Sequence, residues 1–474
     1  MKEGYIKKKD RKNILLLTDD IRVHSGVAQV GREIVTNTSH RYNWVQLAGA
    51  IKHPDKGQIQ DLSEATNKMN GIDDSSVKLY PCDGYGDPNL LKEVIKREKI
   101  DALFLITDPR YFEWLFQMED EIRSEIPIAY LNIWDDLPAP MYNKEFYNSC
   151  DALFGISKQT KNINEMVLGD DSKSKIIKYI PHGLNHNVFK PISKDNKDLK
   201  QIDDYVSQGM GEDKFTLFFN SRNIRRKSIP DTILAWKYFL DGLSKEERNK
   251  CQFVLHTNPV DEHGTDLPAV IRFLFPNKDH NIRISSNKLS TEQMALLYNV
   301  ADATILLSSA EGWGLSLTES LLTGTPIIAN VTGGMQDQMR FKDTKGEWYT
   351  PNPDVPSNHK KTFTEWALPV FPSNLSLVGS PRTPYIYDDR CSAEDAAIQI
   401  RAMYDKGDKK RKEIGKKGME WALSKEAGFT SEMMSNRVID GMDELFKKFQ
   451  PRPKFTFTSD KDQNNKVLNH KLVY

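Results

Sequence analysis

The chain alternates short apolar runs with amphipathic stretches, and it does so in two successive series. From residue 13, NILLLTDD reads as a buried strand, VAQVGREIVTNT as a helix after the Ser25-Gly26 break, and YNWVQLAGA as a second strand. LLKEVIKREKI continues as helix, then DALFLITD, IPIAYLNIW and DALFGIS as strands. The second series opens with strand FTLFFNS and helix PDTILAWKYFL. Its further strands are QFVLHT, NIRIS, ATILLSS and PIIAN, and its further helices PAVIRFLF and TEQMALLYNV. Strands separated by helices pair in parallel through crossovers and are covered on both faces. The expected fold class is α/β, with two Rossmann-like, doubly wound domains facing across a cleft. A length of 474 residues agrees, being too great for one compact core.

The first series closes around YIPHGLNHNVFKP, and the polar stretch that follows, ISKDNKDLKQIDDYVSQGMGEDK, is expected to hold the linker. The boundaries read as 1–192 for the first domain and 193–425 for the second. Residues 426–450 are expected to form a helix packing back on the first domain, and 451–474 a polar tail. Residues 341–390 interrupt the rhythm with prolines and aromatics and read as an irregular insertion, first of all a surface elaboration, with acceptor binding or an oligomer contact as the alternative.

Lys+Arg and Asp+Glu balance at 66 each, which argues against a dedicated nucleic-acid binder. The basic clusters KKKDRK and KGDKKRK then read as solvated surface. Four cysteines, Cys82, Cys150, Cys251 and Cys391, are far apart with no CxxC pair, so reduced buried thiols are expected. The apolar stretch Ile14 to Leu17 is too short for a signal-peptide core, and no run approaches the roughly 20 residues of a membrane span. A cytoplasmic location follows as an expectation.

The run SSAEGWGLSLTESLLTGTPIIAN carries the chemistry. A buried strand leads into Ala310-Glu311-Gly312-Trp313-Gly314, a helix follows, and Gly324 and Pro326 end it. The loop lies at the carboxyl end of a sheet strand, where open α/β sheets bind ligands. Its glycines permit close backbone approach, and the helix N-terminus offers free N–H groups to an anion. Glu311 in the loop and Glu319 one turn into the helix can face one cleft, and a carboxylate accepts paired hydroxyls well.

This run strongly resembles the family-4 retaining glycosyltransferases of the GT-B fold, whose pattern is Glu-Gly-Phe-Gly-Leu, then Glu-Ala, then a small-Gly-x-Pro-Val strand. Here it stands as EGWGLSLTESLLTGTPII, with Trp313 for Phe and Ser320 for Ala. The resemblance implies a nucleoside-diphosphate sugar donor, UDP- or GDP-linked, with Glu311 on the sugar and Glu319 on the ribose. It implies Arg222 and Lys227, five apart in NSRNIRRKS, on the diphosphate, and Lys288 and Leu289 at the nucleobase. Gly312, Trp313, Gly314 and Leu315 complete the donor loop. Gly26 matches the family's glycine-containing turn near the phosphates. The first domain would hold the acceptor. There, DALFLITDPRYF offers Thr107 and Asp108 where many members have histidine, and LNIWDDLPAP offers Trp134, Asp135 and Asp136 where others have His-Asp. Asp108 and Asp135 are the candidates to orient the acceptor hydroxyl. Tyr298 reads as helix packing, His182 as part of a hinge, and Arg225 and Arg226 as exposed extras.

No cofactor or metal is expected. The sole Asp-x-Asp match, Asp460-Lys461-Asp462, falls in the tail. TDPRYF and NIWDDLP also resemble glycosyltransferases of tailed bacteriophages, which would admit hydroxymethylated phage DNA as an acceptor beside a glycan, lipid or small molecule. A homo-oligomer is compatible with the sequence. Rival readings are a nucleotide-sugar epimerase, a phosphorylase, or a non-catalytic protein that has kept the fold.

Overall fold

The computed structural model describes residues 3–208, 210–211, 213–350 and 364–453. The Asp460–Asp462 motif and the tail from residue 454 lie outside the described residues, as do 351–363 of the insertion.

Eight strands form the first sheet: β1 (Lys12–Asp19), β2 (Tyr42–Gly49), β3 (Gln60–Asp61), β4 (Val77–Pro81), β5 (Ala102–Ile106), β6 (Ile128–Asn132), β7 (Ala152–Gly155) and β8 (Ile176–Tyr179). Their order is β3-β4-β2-β1-β5-β6-β7-β8, parallel throughout except where short β3 runs antiparallel to β4. Ile14, Leu15, Leu16 and Leu17 of central β1 are all fully buried. An unbroken apolar run is what a strand covered on both faces requires, and each such side chain contributes about 1.5–3 kcal/mol.

The second sheet has six parallel strands, β9 (Phe215–Asn220), β10 (Cys251–His256), β11 (Ile282–Ser285), β12 (Ala303–Leu306), β13 (Ile327–Asn330) and β14 (Ala367–Val370), in the order β11-β10-β9-β12-β13-β14. β14 comes from the stretch read as irregular. So does an antiparallel hairpin, β15 (Asn374–Ser380) with β16 (Thr383–Arg390). No apolar alternation betrays the hairpin, because β15 is exposed along almost its whole length.

The linker stretch also folds: helix Lys197–Ser207 starts at an Asn196 cap and buries Leu199 and Val206. Helix Ser431–Lys448 lies against the first sheet's side of the molecule, where Tyr42 Oη donates to Asp443 (2.8 Å) and Lys178 pairs with Glu444 (2.6 Å). The two basic clusters are not wholly solvated surface. Arg11 is buried against Asp74 at 2.5 Å and Arg411 against Asp302 at 2.9 Å. Cys82, Cys150 and Cys251 are buried and unpaired, while Cys391 is half-buried. No helix among the described residues is long and apolar enough to cross a membrane.

Helix Leu315–Leu322 is buried from Ser316 to Leu322, polar residues included. Helix Gly407–Ala422 holds it from behind: a Cβ on Gly415 would stand 1.9 Å from the Gly324 carbonyl oxygen. Such proximity, with Gly418 against Leu321, leaves the site helix no room to shift.

Candidate active site in the cleft

The carboxyl ends of both sheets open on one cavity of about 960 Å³. Gly26, Asp108, Asp135, Arg222, Lys227, Glu311, Gly312, Trp313, Gly314, Leu315 and Glu319 all line it, from elements spread over the whole chain. Lys288 and Leu289 do not; Lys288 is exposed beyond β11, and Thr291 is the nearest lining residue in sequence.

Glu311 is the electrostatic centre. The short turn Arg225–Lys227 after β9 delivers two cations to it: Lys227 Nζ donates to Oε2, and Arg226 Nη1 donates to the same oxygen at 3.0 Å and to the Ala310 carbonyl at 2.6 Å. Burial alone would raise the Glu311 pKa, but Arg226 and Lys227 outweigh it and hold the group at about 2, so it stays ionised. Burial, assisted by the Arg226 charge, pulls Lys227 below its ordinary range despite Glu311. Arg226 is no bystander: its side chain is ringed by protein yet 42% exposed to the cleft, so one charge serves both carboxylate and cavity. Arg222, expected to stand beside Lys227, is 59% exposed at the rim and turns its Nε to Asp261 at 3.1 Å.

Glu319 is set differently. Tyr298 Oη donates to its Oε2 at 2.6 Å and Asn220 Nδ2 reaches the same oxygen at 3.3 Å, with no ion pair to it among the described residues. Burial dominates and pushes the carboxyl up to about 7, the two hydrogen bonds countering only part. Tyr298 is therefore not merely packing; its hydroxyl positions Glu319. Asn220, the last residue of β9, escaped notice in the sequence, though its place at a strand's carboxyl end was a usable signal.

The loop between β12 and helix Leu315–Leu322 is locked by backbone. Gly314 sits at φ 85° at the head of the helix. Gly333 has φ 49°, and a Cβ there would stand 2.0 Å from the Glu311 carbonyl oxygen. The Gly334 N–H donates to that oxygen at 2.9 Å. Trp313 turns its ring inward, donating from Nε1 to Thr318 (2.9 Å) and packing edge-on to Phe429 (4.9 Å between centroids), so only its backbone is offered to a ligand. Gly333→Ala is expected to cost about 1–3 kcal/mol by overpacking and left-handed strain. It should also displace Glu311; unchanged melting and unchanged nucleotide binding would show the contact to be slack.

On the opposite wall, Asp108 caps the turn Pro109–Phe112 and is gripped by the Arg110 guanidinium, which lies 5.1 Å over the Trp134 ring. Thr107 before it takes φ 121°, a strained setting for a β-branched residue. Asp135 and Asp136 follow β6; burial, and for Asp136 next the Asp135 charge, pushes both carboxyls up, Asp136 further. Gly26 approaches the other half directly, since a Cβ on it would stand 3.3 Å from Leu315 Cδ1. Ser25 caps helix Gly26–Thr38, whose free N–H end opens on the cavity. His182 lines the cavity as well, buried and neutral, with its pKa lowered to about 3 by burial.

Residues 277–361 match the family of glycosyl transferases group 1, a stretch that includes both glutamates. The chain is 21% identical over 194 residues to mannosylfructose-phosphate synthase of Agrobacterium fabrum, covering 40% of this chain and 39% of that protein. The chain thus spans under half the length of that relative. Among solved structures, sucrose-phosphate synthase of Thermosynechococcus elongatus superposes with a TM-score of 0.66 at 14% identity, covering 92% of this chain and 100% of that one. Anabaena HepE, solved with UDP and glucose, superposes with a TM-score of 0.62 at 13% identity, over 92% of this chain and 100% of that one. The shared architecture is the GT-B fold: two Rossmann-like domains facing across a cleft.

Proposed function

We propose that this protein is a retaining glycosyltransferase that moves a hexose-type sugar from a nucleoside-diphosphate sugar, UDP- or GDP-linked, to an acceptor hydroxyl. The observation that carries the reading is Glu311, held ionised by Arg226 and Lys227 in the cavity that also takes in the buried Glu319. The group 1 match over this stretch supports it, as does the fold shared with a protein solved with UDP and glucose.

In this reading the bond from the sugar's anomeric carbon to the diphosphate breaks, and its electron pair leaves with the phosphate. Lys227, Arg226 and Arg222, with the N-terminal end of helix Gly26–Thr38, offset the charge that grows there. The acceptor oxygen bonds to the same face of the carbon, and its proton passes to the departing phosphate oxygen. Glu319 accepts the ribose hydroxyls and Glu311 a sugar hydroxyl. The first half of the chain holds the acceptor and the second half the donor.

A thermal-shift screen against UDP-, GDP-, ADP- and TDP-sugars tests the donor. The matching nucleotide should stabilise the fold by about 2.7 kcal/mol at roughly 100 times its Kd. Stabilisation by none of them would sink the reading. Conversion of a labelled nucleotide sugar without any acceptor would point to an epimerase instead.

A further inference from the structure

The acceptor side of the cavity has a wall and a roof that donor binding does not use. Asp108, Arg110, Asp135 and Asp136 form the wall. Its one cation, Arg110, is committed: Nε and Nη2 donate to Asp108, and Nη1 donates to the Arg382 carbonyl at 3.2 Å. Across the cleft Lys227 and Arg226 are bonded to Glu311 and Arg222 to Asp261, while Arg32, on helix Gly26–Thr38 and not on this wall, lines the cavity with its Nη1 donating to the Ile21 carbonyl at 3.0 Å.

The roof is the hairpin β15–β16, which the second half of the chain lends to the first. At its root the Asp389 N–H donates to the Ser309 carbonyl (3.0 Å), and Asn330 Nδ2 donates to the Asp389 carbonyl (2.7 Å). Further out, the Tyr387 N–H donates to the Leu137 carbonyl (2.6 Å), and Tyr142 Oη donates to the Tyr385 carbonyl (3.0 Å). Those contacts fasten it directly after Asp135 and Asp136, and Thr383 and Ile386 face the cavity from it.

We propose that this roofed subsite takes the acceptor and selects an uncharged, hydroxyl-rich molecule, a sugar or polyol without phosphate. Asp135 and Asp136 accept its hydroxyls, and Ile386 and Thr383 close over it. The inference rests on the glycosyl-transfer reading. A hydroxyl both donates and accepts, which suits a wall that sets the Asp135 and Asp136 carboxyls side by side. A phosphate dianion held against this wall would face three carboxyl groups, while the wall's own cation, Arg110, is spent on Asp108, an arrangement that disfavours it. This separates the chain from mannosylfructose-phosphate synthase and sucrose-phosphate synthase, both named for phosphorylated products. The same repulsion would disfavour a DNA backbone beside the reacting hydroxyl.

Saturation-transfer NMR on the full chain, with its best-stabilising nucleoside diphosphate present, tests this by offering glucose and maltose against glucose 6-phosphate and maltose 6-phosphate. The neutral sugars are expected to bind at least about tenfold tighter than their phosphates. Asp136→Asn should weaken neutral-sugar binding by about tenfold, and Ile386→Trp, which fills the space under the roof, should abolish it. Nucleotide-induced stabilisation, retained in both variants, reports that they fold. Preference for the phosphates, binding of neither form, or neutral-sugar binding indifferent to both substitutions overturns the proposal. Failure of the wild-type protein to be stabilised by any nucleotide would overturn the glycosyl-transfer reading instead.

Discussion

Lys227→Met is expected to lower turnover by a factor of about 10² or more, with a smaller effect on nucleotide affinity. The ammonium is 9% exposed and bonded to Glu311, so it is fixed before any ligand arrives and need not reorganise as charge develops. Its removal also touches the fold. Glu311 would keep Arg226, so the loss should stay below the roughly 3–5 kcal/mol expected for stranding a buried charge. A second substitution separates the two effects. Glu311→Gln added to Lys227→Met should lower the melting temperature further, because Arg226 then loses its carboxylate partner, while turnover stays low. Single-turnover rates and thermal melts on the wild type and the two variants check this. Near-normal turnover in Lys227→Met would refute the assignment of Lys227 to the leaving group.

Glu319→Ala is expected to raise the Kd for the donor by about 10- to 100-fold, one or two charge-assisted hydrogen bonds to the ribose being lost. The wild-type affinity should also depend on pH. Burial sets the Glu319 carboxyl at about 7 against an ordinary value of 4.5. Between those values the folded protein holds a proton that the unfolded chain has released, so this group's contribution to stability falls as pH rises through the window. Ribose hydroxyls donate to the ionised form, so donor binding should strengthen as pH rises through 7, by about tenfold between pH 6 and pH 8. A nucleoside-diphosphate sugar is the right probe, since its diphosphate does not titrate there. Calorimetry in buffers of different ionisation enthalpy should register proton release at about pH 6.5. Glu319→Gln should abolish the pH dependence; a flat profile in the wild type would sink this role.

Much of the cavity wall around Glu311 and Glu319 could be read from the residues. The run around Glu311 and Glu319 carries its own strand, loop, helix and stop, all local in sequence. Gly324 at φ 78° just past the helix is where the sequence puts it. Partnership was harder. Arg222 and Lys227 share a spacing, yet in the three-residue turn Arg225–Lys227 it is Arg226 that joins Lys227 on Glu311, while Arg222 goes to Asp261. One-residue differences in a tight turn reverse which way a side chain points, and no periodicity reports that. The resemblance puts Trp313 in the donor loop, but Phe429, more than a hundred residues on, supplies the ring packing that draws its side chain inward. The hairpin was hidden for a related reason: its exposed strand buries too little on either face to leave a pattern.

Strand and helix periods arise from backbone geometry within a few residues, so the residues alone place the elements around Glu311 and Glu319 and the edge of the sheet on which they stand. Only the tertiary structure decided what those elements meet. It gave Glu311 two cations and Glu319 a tyrosine hydroxyl, so burial that is common to both leaves one carboxyl at about 2 and the other at about 7. It also laid a strand pair from the second half over the aspartates of the first. Such contacts join residues 21 apart (Tyr298 and Glu319), 84 apart (Lys227 and Glu311) and 243 apart (Tyr142 and Tyr385), and the distances between them are set by how the sheets and helices pack.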